Sequence, residues 1–286
     1  MSDRVIRFKT PAKINTFLFI QSKRDDGYHD LVMDLIPISL FDEIELRPTP
    51  HDQVNLSSNL PDVPQEENLV VQAIRLLEKE SGQTLSLDVH LHKVIPSGAG
   101  LGGGSGNAAG TMVTVNQLFQ LNIPEQRLAQ LAVQLGADVP FFINPRPSLA
   151  KGIGERLTDL SYFDPLKLIL IFPDFSISTG LAYSICLKSG RSELLHRYLP
   201  SDFGEFDPDI NDFWIPLQNK YPALETCRQS MVDQGAVFAG LSGSGSTVFG
   251  IYDCEKTREK AFEALKTHPS WKVFTCNTLS AFQYEN

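Results

Sequence analysis

Cysteine, positive charge and long apolar runs are all scarce in this sequence, and each scarcity closes off a class of protein. Four cysteines (Cys186, Cys227, Cys254 and Cys276) are spread over 286 residues with no C-x-x-C spacing. That is too few for a disulfide scaffold, and they read as reduced cytosolic thiols. Lysine and arginine number 25 against 34 aspartates and glutamates, a formal net charge of −9, so the basic face that non-specific nucleic-acid binding needs is missing. An anionic ligand must then be held by local features. No apolar stretch approaches the ~20 residues of a membrane helix, and residues 14–20 and 168–172 have only the length of buried strands. The N-terminal residues run into alternating sequence with no apolar signal segment, so neither export nor membrane attachment is expected and a cytoplasmic location is. Repeats and low-complexity tracts are lacking too.

What is present suits a globular chain: 42% of residues are hydrophobic, and the length suggests two domains at ~150 residues each. Strand patterns cover 4–9, 12–20, 28–38 and 42–47, with a turn at 23–27 ending in Asp26-Gly27. Residues 67–80 read as a helix with Gly82 beyond its end, and 85–95 as a half-buried strand. Further helices are expected at 108–119, 124–135, 221–234 and 255–266, and strands at 167–172 and 272–275. Residues 235–251 read as strand, glycine turn, strand. The polar stretch 191–212 reads as a surface excursion. The pattern is α+β, with a domain change near 162–167 and hence units 1–162 and 163–286.

The most unusual segment is Pro96-Ser-Gly-Ala-Gly-Leu-Gly-Gly-Gly-Ser-Gly-Asn-Ala-Ala109, with six glycines in the nine positions from Gly98 to Gly106. Placed between a strand and a helix, such a loop crowds backbone N–H groups around an anion and adds the helix dipole, which suits phosphate. A flexible turn does not need so many glycines. It is not a Walker A loop, because no lysine precedes Ser105. Gly98-x-Gly100-x-x-Gly103 matches a dinucleotide fingerprint, but Glu125 behind Pro124 opens a helix rather than closing a strand, so a nicotinamide-dependent oxidoreductase is a poor reading. A G-x-S-x-G elbow is absent around Ser105 and within 240–245.

This segment resembles the ATP-binding signature of the GHMP kinases, and Pro11-Ala-Lys-Ile-Asn15 and Leu241-Ser-Gly-Ser-Gly-Ser-Thr-Val-Phe249 fall where that family has its first and third motifs. Asp26-Gly-Tyr-His29, Glu67-Asn-Leu-Val70 and Gly136-Ala-Asp-Val-Pro140 point to the branch whose acceptor is a cytidine diphosphate-linked polyol. The resemblance spans residues 10–252. It implies an N-terminal ribosomal-protein-like α+β domain and a C-terminal ferredoxin-like domain with the active site in the cleft between them, and ATP with Mg²⁺ as cofactors. The partner implied is a small molecule, and the chain is expected to be a monomer or a homodimer.

Roles follow from the resemblance residue by residue. Asp138 is the general base; read without the family, it caps a helix starting near Pro140 just as well. Lys13, inside an apolar strand and on one face with Asn15, orients Asp138 and polarises the hydroxyl, while Asn15 bonds substrate; the plain alternative is an edge-strand lysine. The nucleotide set is Pro96, Gly98, Gly100, Leu101, Gly102, Gly103, Gly104, Ser105, Gly106 and Asn107, with Asn68 and Lys93 near the adenine. For Asn68 a helix cap, and for Lys93 a solvated strand end, are nearly as good. Ser105 either contacts phosphate or Mg²⁺ or caps the helix. The loop has no carboxylate for a metal, so Mg²⁺ is expected on the ATP phosphates and water, with no metal site in the chain. Tyr28 and Tyr183 stack on the cytosine, His29 bonds its edge, Thr179 lies by the diphosphate, and Gly243, Ser244 and Gly245 complete the acceptor site. His90 and His92 share a strand face without a third ligand.

Three positions depart from the family pattern. Ala99 stands for a glycine, which matters only where positive φ is needed. Gly106 stands for a serine whose hydroxyl might have reached phosphate, and Thr16 for a common leucine. Two alternatives remain: a GHMP kinase for another small alcohol, in which Tyr28, His29 and Tyr183 do not converge, and a silent nucleotide-binding regulator, which needs no base.

Overall fold

The computed structural model describes residues 5–60, 64–160, 165–186 and 210–284. In chain order the strands and helices are β1 (Ile6–Ile14), β2 (Leu18–Lys23), β3 (His29–Pro48), β4 (Val54–Ser58), α1 (Leu69–Ser81), β5 (Leu87–His92), α2 (Gly103–Leu118), α3 (Glu125–Ala132), β6 (Ser148–Gly152) and β7 (Arg156–Asp159). There follow β8 (Lys167–Phe172), α4 (Thr179–Ile185), α5 (Trp214–Lys220), α6 (Ala223–Asp233), β9 (Phe238–Leu241), β10 (Val248–Tyr252), α7 (Glu255–Leu265) and β11 (Lys272–Asn277). A 3₁₀ turn spans Pro140–Ile143.

Seven strands form the first sheet in the order β4-β5-β3-β6-β7, with β1 and β2 both paired to β3. β3 is its spine, one strand of 20 residues where the sequence pattern suggests two. Proline at 37 and the non-alternating Ser39-Leu-Phe41 break the pattern. The pairing carries across them by a bulge, since Pro11 faces Phe41 whereas Ala12 faces Ile38. Four strands form the second sheet, antiparallel throughout, in the order β11-β8-β10-β9. With α6 and α7 as crossovers this is the β-α-β-β-α-β arrangement of ferredoxin-like folds.

Local signals explain the helices. Asn68 caps α1 by accepting from the Val70 amide at 2.9 Å, and Gly82 ends it at φ +69°. α2 starts inside the glycine loop and is buried nearly all round from Gly103 to Val115, so it is a central helix and not the amphipathic one its apolar residues suggest. The helix expected at 124–135 is shorter, Glu125–Ala132.

Two apolar clusters hold the layers together. One lies between the first sheet and α1 and α2 and continues under α5 and α6. The other joins the sheets, with Ile14, Phe19, Ile36 and Ile38 packed with Leu168, Leu170, Phe249 and Ile251. Of the excursion expected at 191–212, residues 191–209 lie outside the described set. Its end is not on the surface, since Ile210 and Asn211 are buried. The domain boundary expected at 162/163 also lies outside the described residues.

Asn68→Ala and Gly82→Ala each remove one end of α1. Urea denaturation is expected to show a loss of about 1 kcal/mol of unfolding free energy for either.

Candidate active site

Three stretches far apart in sequence meet at the floor of one cleft. The first is the end of β1, where Ala12 and Ile14 enter the core between the sheets and Lys13 faces the cleft. Lys13 Nζ donates to Asn15 Oδ1 at 2.7 Å and stands 3.6 Å from Asp138 Oδ2. The backbone amide of Lys13 donates to the Leu101 carbonyl at 2.9 Å, tying β1 to the second stretch, the glycine loop.

In that loop Gly100 has φ +76°, and a Cβ there would lie 2.1 Å from the Ser242 carbonyl oxygen. Only glycine permits this approach of two backbones. Ser242 belongs to the third stretch, the turn between β9 and β10. Its hydroxyl donates to the Gly100 carbonyl at 3.0 Å, and the Thr247 amide donates to Ala99 at 3.2 Å. At Gly243, φ +55°, a Cβ would sit 3.3 Å from Asn15 Oδ1, from Lys13 Nζ and from the Gly100 oxygen alike. One point of backbone therefore touches all three motifs.

Asp138 lies in the turn after α3 with its side chain 30% exposed. The following 3₁₀ turn is preceded by Val139 and has no side-chain cap bond, so Asp138 does not cap it. A carboxylate with an ammonium beside it and one open side is arranged to accept a proton from a cleft-bound group.

Most of the expected site residues line this cleft: Lys13, Asn15, Tyr28, His29, Asn68, Lys93, Pro96, Gly98, Gly100, Gly102, Gly103, Gly104, Ser105, Asn107, Asp138, Thr179, Tyr183, Gly243, Ser244 and Gly245. Leu101 and Gly106 do not. Leu101 is buried and serves through its carbonyl. Gly106 faces inward, where a Cβ would meet the Pro11 oxygen at 2.8 Å, so the serine it replaces would not have reached the cleft from here. Ala99 is not among the residues with positive φ, so its side chain carries no backbone strain. Ser105 lies in the first turn of α2, whose N-cap is Gly102, and so it is not the cap.

Several side chains do other work than expected. Asn15 is fully buried, and its amide is spent on Lys13 and on the Asp34 carbonyl rather than left for a ligand. Lys93 is not a solvated strand end: it pairs with buried Asp42 and donates to Asn107 Oδ1 at 2.9 Å. Asn107 in turn donates to Asp42 and to Thr10 Oγ1, at 2.9 and 2.7 Å. Tyr183 stacks on His29, centroids 4.6 Å apart and planes 15° from parallel, while Tyr28 is 58% exposed at the rim. Burial and the nearby Asp138 charge push the Tyr183 phenol well up, which keeps it a neutral donor. His90 bonds Ser57 Oγ at 2.9 Å, away from the cleft, and among the described residues no group of three His, Cys, Asp or Glu side chains is placed to hold a metal.

Two buried carboxylates escaped the sequence reading. Asp42 Oδ1 accepts from the Val94 and Ile95 amides at 2.7 and 2.8 Å, anchoring the entry to the glycine loop. Asp34 accepts from the Thr16 and Phe17 amides at 2.7 and 3.1 Å and from the Thr16 hydroxyl, holding the bend just after Asn15. Asn211, also missed, donates to the carbonyls of Leu241 and Gly243 at 2.9 Å and shapes the third motif. Nothing in the sequence neighbourhoods of Asp42 and Asn211 marks them, whereas Asp34 is a charge inside the apolar run Leu31-Val-Met-Asp-Leu-Ile36, a signal that could have found it.

The cleft has a volume of about 1410 Å³. That exceeds the ~300–1,000 Å³ of a site for one drug-sized ligand and leaves room for two molecules side by side. Both the glycine loop and the stacked His29 and Tyr183 line it.

Comparison with known proteins agrees. Residues 68–145 match the N-terminal domain of GHMP kinases and residues 192–270 the C-terminal one. The chain is 35% identical to the 4-diphosphocytidyl-2-C-methyl-D-erythritol kinase of Chloroherpeton thalassium over 89% of its length and 92% of the relative's. It is 38% identical to the enzyme of the same name from Prosthecochloris aestuarii, over 91% and 93%. The chain belongs to this family of GHMP kinases. Its fold superposes on a crystal structure of 4-(cytidine 5'-diphospho)-2C-methyl-D-erythritol kinase with a TM-score of 0.78 at 31% identity, covering 96% of this chain and 99% of the other. A homoserine kinase from Cytophaga hutchinsonii, 19% identical with a TM-score of 0.77 over 99% and 96%, shares the fold. The two-domain GHMP architecture expected from the sequence is thus the one found.

Asp34 has the clearest electrostatic signature near the site. Desolvation outweighs its hydrogen bonds and raises its carboxyl from 3.8 to about 6. Between those values the folded state holds a proton that the unfolded state has lost, so stability falls as pH rises. Relative to Asp34→Asn, the wild type is expected to lose about 2 kcal/mol of unfolding free energy between pH 4 and pH 7, measured by urea denaturation at each pH.

Proposed function

We propose that the protein transfers the γ-phosphoryl group of ATP to the 2-hydroxyl of 4-diphosphocytidyl-2-C-methyl-D-erythritol, giving ADP and the 2-phosphate, in the non-mevalonate route to isoprenoids. The carrying observation is the meeting of Lys13, Asp138 and both glycine turns at one point of a cleft large enough for nucleotide and acceptor. In this reading residues 1–162 form the nucleotide-binding unit and residues 163–286 its partner. The enzyme works in the cytoplasm as a monomer or homodimer. Among the described residues no helix is long and apolar enough to cross a membrane.

Phosphoryl transfer asks little covalent chemistry of a protein and much positioning. The backbone N–H groups of the glycine loop and the N-terminus of α2 receive the triphosphate. Asp138 takes the hydroxyl proton as the acceptor oxygen bonds to the γ-phosphorus; the bond from that phosphorus to the β–γ bridging oxygen breaks and ADP leaves. Lys13, held by Asn15, keeps the Asp138 carboxylate aimed, and its charge also faces the acceptor oxygen. His29 and Tyr183 take the cytosine end, with Tyr28 closing over it from the rim and Thr179 beside the diphosphate. Mg²⁺ brought with ATP would offset phosphate charge, and the Ser105 hydroxyl, which lines the cleft beside the loop, would hold it together with the phosphates and water.

The test is ADP release with Mg-ATP and 4-diphosphocytidyl-methylerythritol, beside mevalonate, homoserine and galactose. Turnover is expected with the cytidyl compound alone, and Asp138→Asn is expected to lower kcat about 10²- to 10⁴-fold. Turnover with another alcohol in its place overturns the acceptor assignment, and undiminished turnover in Asp138→Asn overturns the base.

A further inference from the structure

After β11 the chain leaves the second sheet and runs back across the first. The Asn277 amide donates to Ser39 Oγ at 2.8 Å, the Leu279 amide to the Pro37 carbonyl at 2.8 Å, and the Phe282 amide to the Pro145 carbonyl at 2.9 Å. The run ends at Tyr284, whose hydroxyl donates to the backbone carbonyl of Phe142. Its ring stands edge-on to Phe8 and Phe282, with centroids 6.3 and 5.3 Å away. It also covers Gly110 of α2, where a Cβ would lie 2.8 Å from Tyr284 Cε1. Burial pushes the phenol far up, so it stays a donor.

Phe142 is where this tail meets the chemistry. Its amide donates to Val139 at 3.1 Å, and the Val139 amide donates to Gly136 at 3.2 Å, so the Tyr284 bond is the outer rung of a backbone ladder that encloses Asp138. The Phe142 ring lies beneath the glycine loop: a Cβ on Gly102 would be 2.9 Å from it, and one on Gly106 3.4 Å. The same Cβ on Gly102 would be 3.1 Å from Lys13 Cγ. A single residue thus contacts the turn of the base and the underside of the loop, beside the stem of the lysine.

We infer that Tyr284 is a positioning residue for phosphoryl transfer. By bonding the Phe142 carbonyl it holds the turn carrying Asp138 in fixed relation to the glycine loop, although it touches neither ligand. The inference rests on the proposed reaction and adds to it a structural control of the base from the far end of the chain. Small displacements of a reacting group are costly: ~1 Å can cost ~100-fold in rate.

The experiment compares wild type, Tyr284→Phe, Tyr284→Ala, Asp138→Asn and the double variants with Asp138→Asn, assayed well below their melting temperatures. Tyr284→Ala is expected to lower kcat about tenfold with both KM values within about twofold, and Tyr284→Phe, which keeps the ring, about threefold. In the Asp138→Asn background neither change lowers kcat further, because a positioner has nothing left to position. If Tyr284→Ala does not fold, Tyr284→Phe alone decides. An unchanged kcat per folded enzyme, or an equal proportional loss with and without Asp138, assigns Tyr284 to stability only and overturns the inference. A folded wild type without turnover on the cytidyl acceptor fails the proposed function itself, and the inference falls with it.

Discussion

The closest approach in the site is between two backbones. Gly100 lies so near the Ser242 carbonyl that a methyl group would be 2.1 Å from its oxygen, far inside van der Waals contact, and the rest of the cleft is arranged around that approach. The contact fixes the glycine loop of the first unit against the β9–β10 turn of the second. It leaves Gly243 beside Lys13 and Asn15, and it lets the Ser242 hydroxyl and Thr247 amide close the gap with hydrogen bonds. A cleft between two sheets ordinarily opens and shuts. Here its floor is pinned by hydrogen-bonded peptide groups with no room for a side chain, and the apolar layer between the sheets lies behind it.

The electrostatics follow the same economy. Both lysines near the loop have a carboxylate of their own, Asp138 for Lys13 and Asp42 for Lys93. Burying such pairs is costly unless their remaining atoms are bonded, and here Asp42 takes two amides and Asn107 takes both Thr10 and Lys93. Lys93 is therefore engaged within the chain, and in the proposed reaction the attraction for phosphate is left to the amide dipoles. In the proposed reaction, a chain of net charge −9 concentrates anion binding at one helix end instead of spreading it over a basic surface.

How much of this can be read in the sequence depends on where the constraint acts. Backbone constraints show as residue types: a turn that must run at positive φ or touch another backbone needs glycine, and so both glycine turns stand out. Lys13 stands out as a charge in an apolar strand. Asp42 does not, because an aspartate in an alternating strand looks the same whether it faces water or accepts amides; Asp34, between Met33 and Leu35, is as much a charge in an apolar run as Lys13, but nothing local shows that it accepts the Thr16 and Phe17 amides. The Asn15 side chain is of the same kind: its amide donates to a carbonyl 19 positions away. The continuity of β3 through Pro37 is likewise set by β1 across the bulge. Nothing local announces the return of residues 277–284, because their partners are carbonyls and ring edges contributed by the opposite half of the chain.

That return fixes an order of events during synthesis. Chains fold broadly from the N-terminus as they emerge, and Lys13, the glycine loop and Asp138 are all made before the second sheet exists. The bond to the Phe142 carbonyl comes from Tyr284, 142 positions later in the chain and beyond the last strand of the second sheet. A nascent chain can assemble its first sheet and central helix early, but Gly110 keeps an uncovered face until Tyr284 has been made. The turn that carries Asp138 therefore gains its last hydrogen bond only after the second sheet has been made.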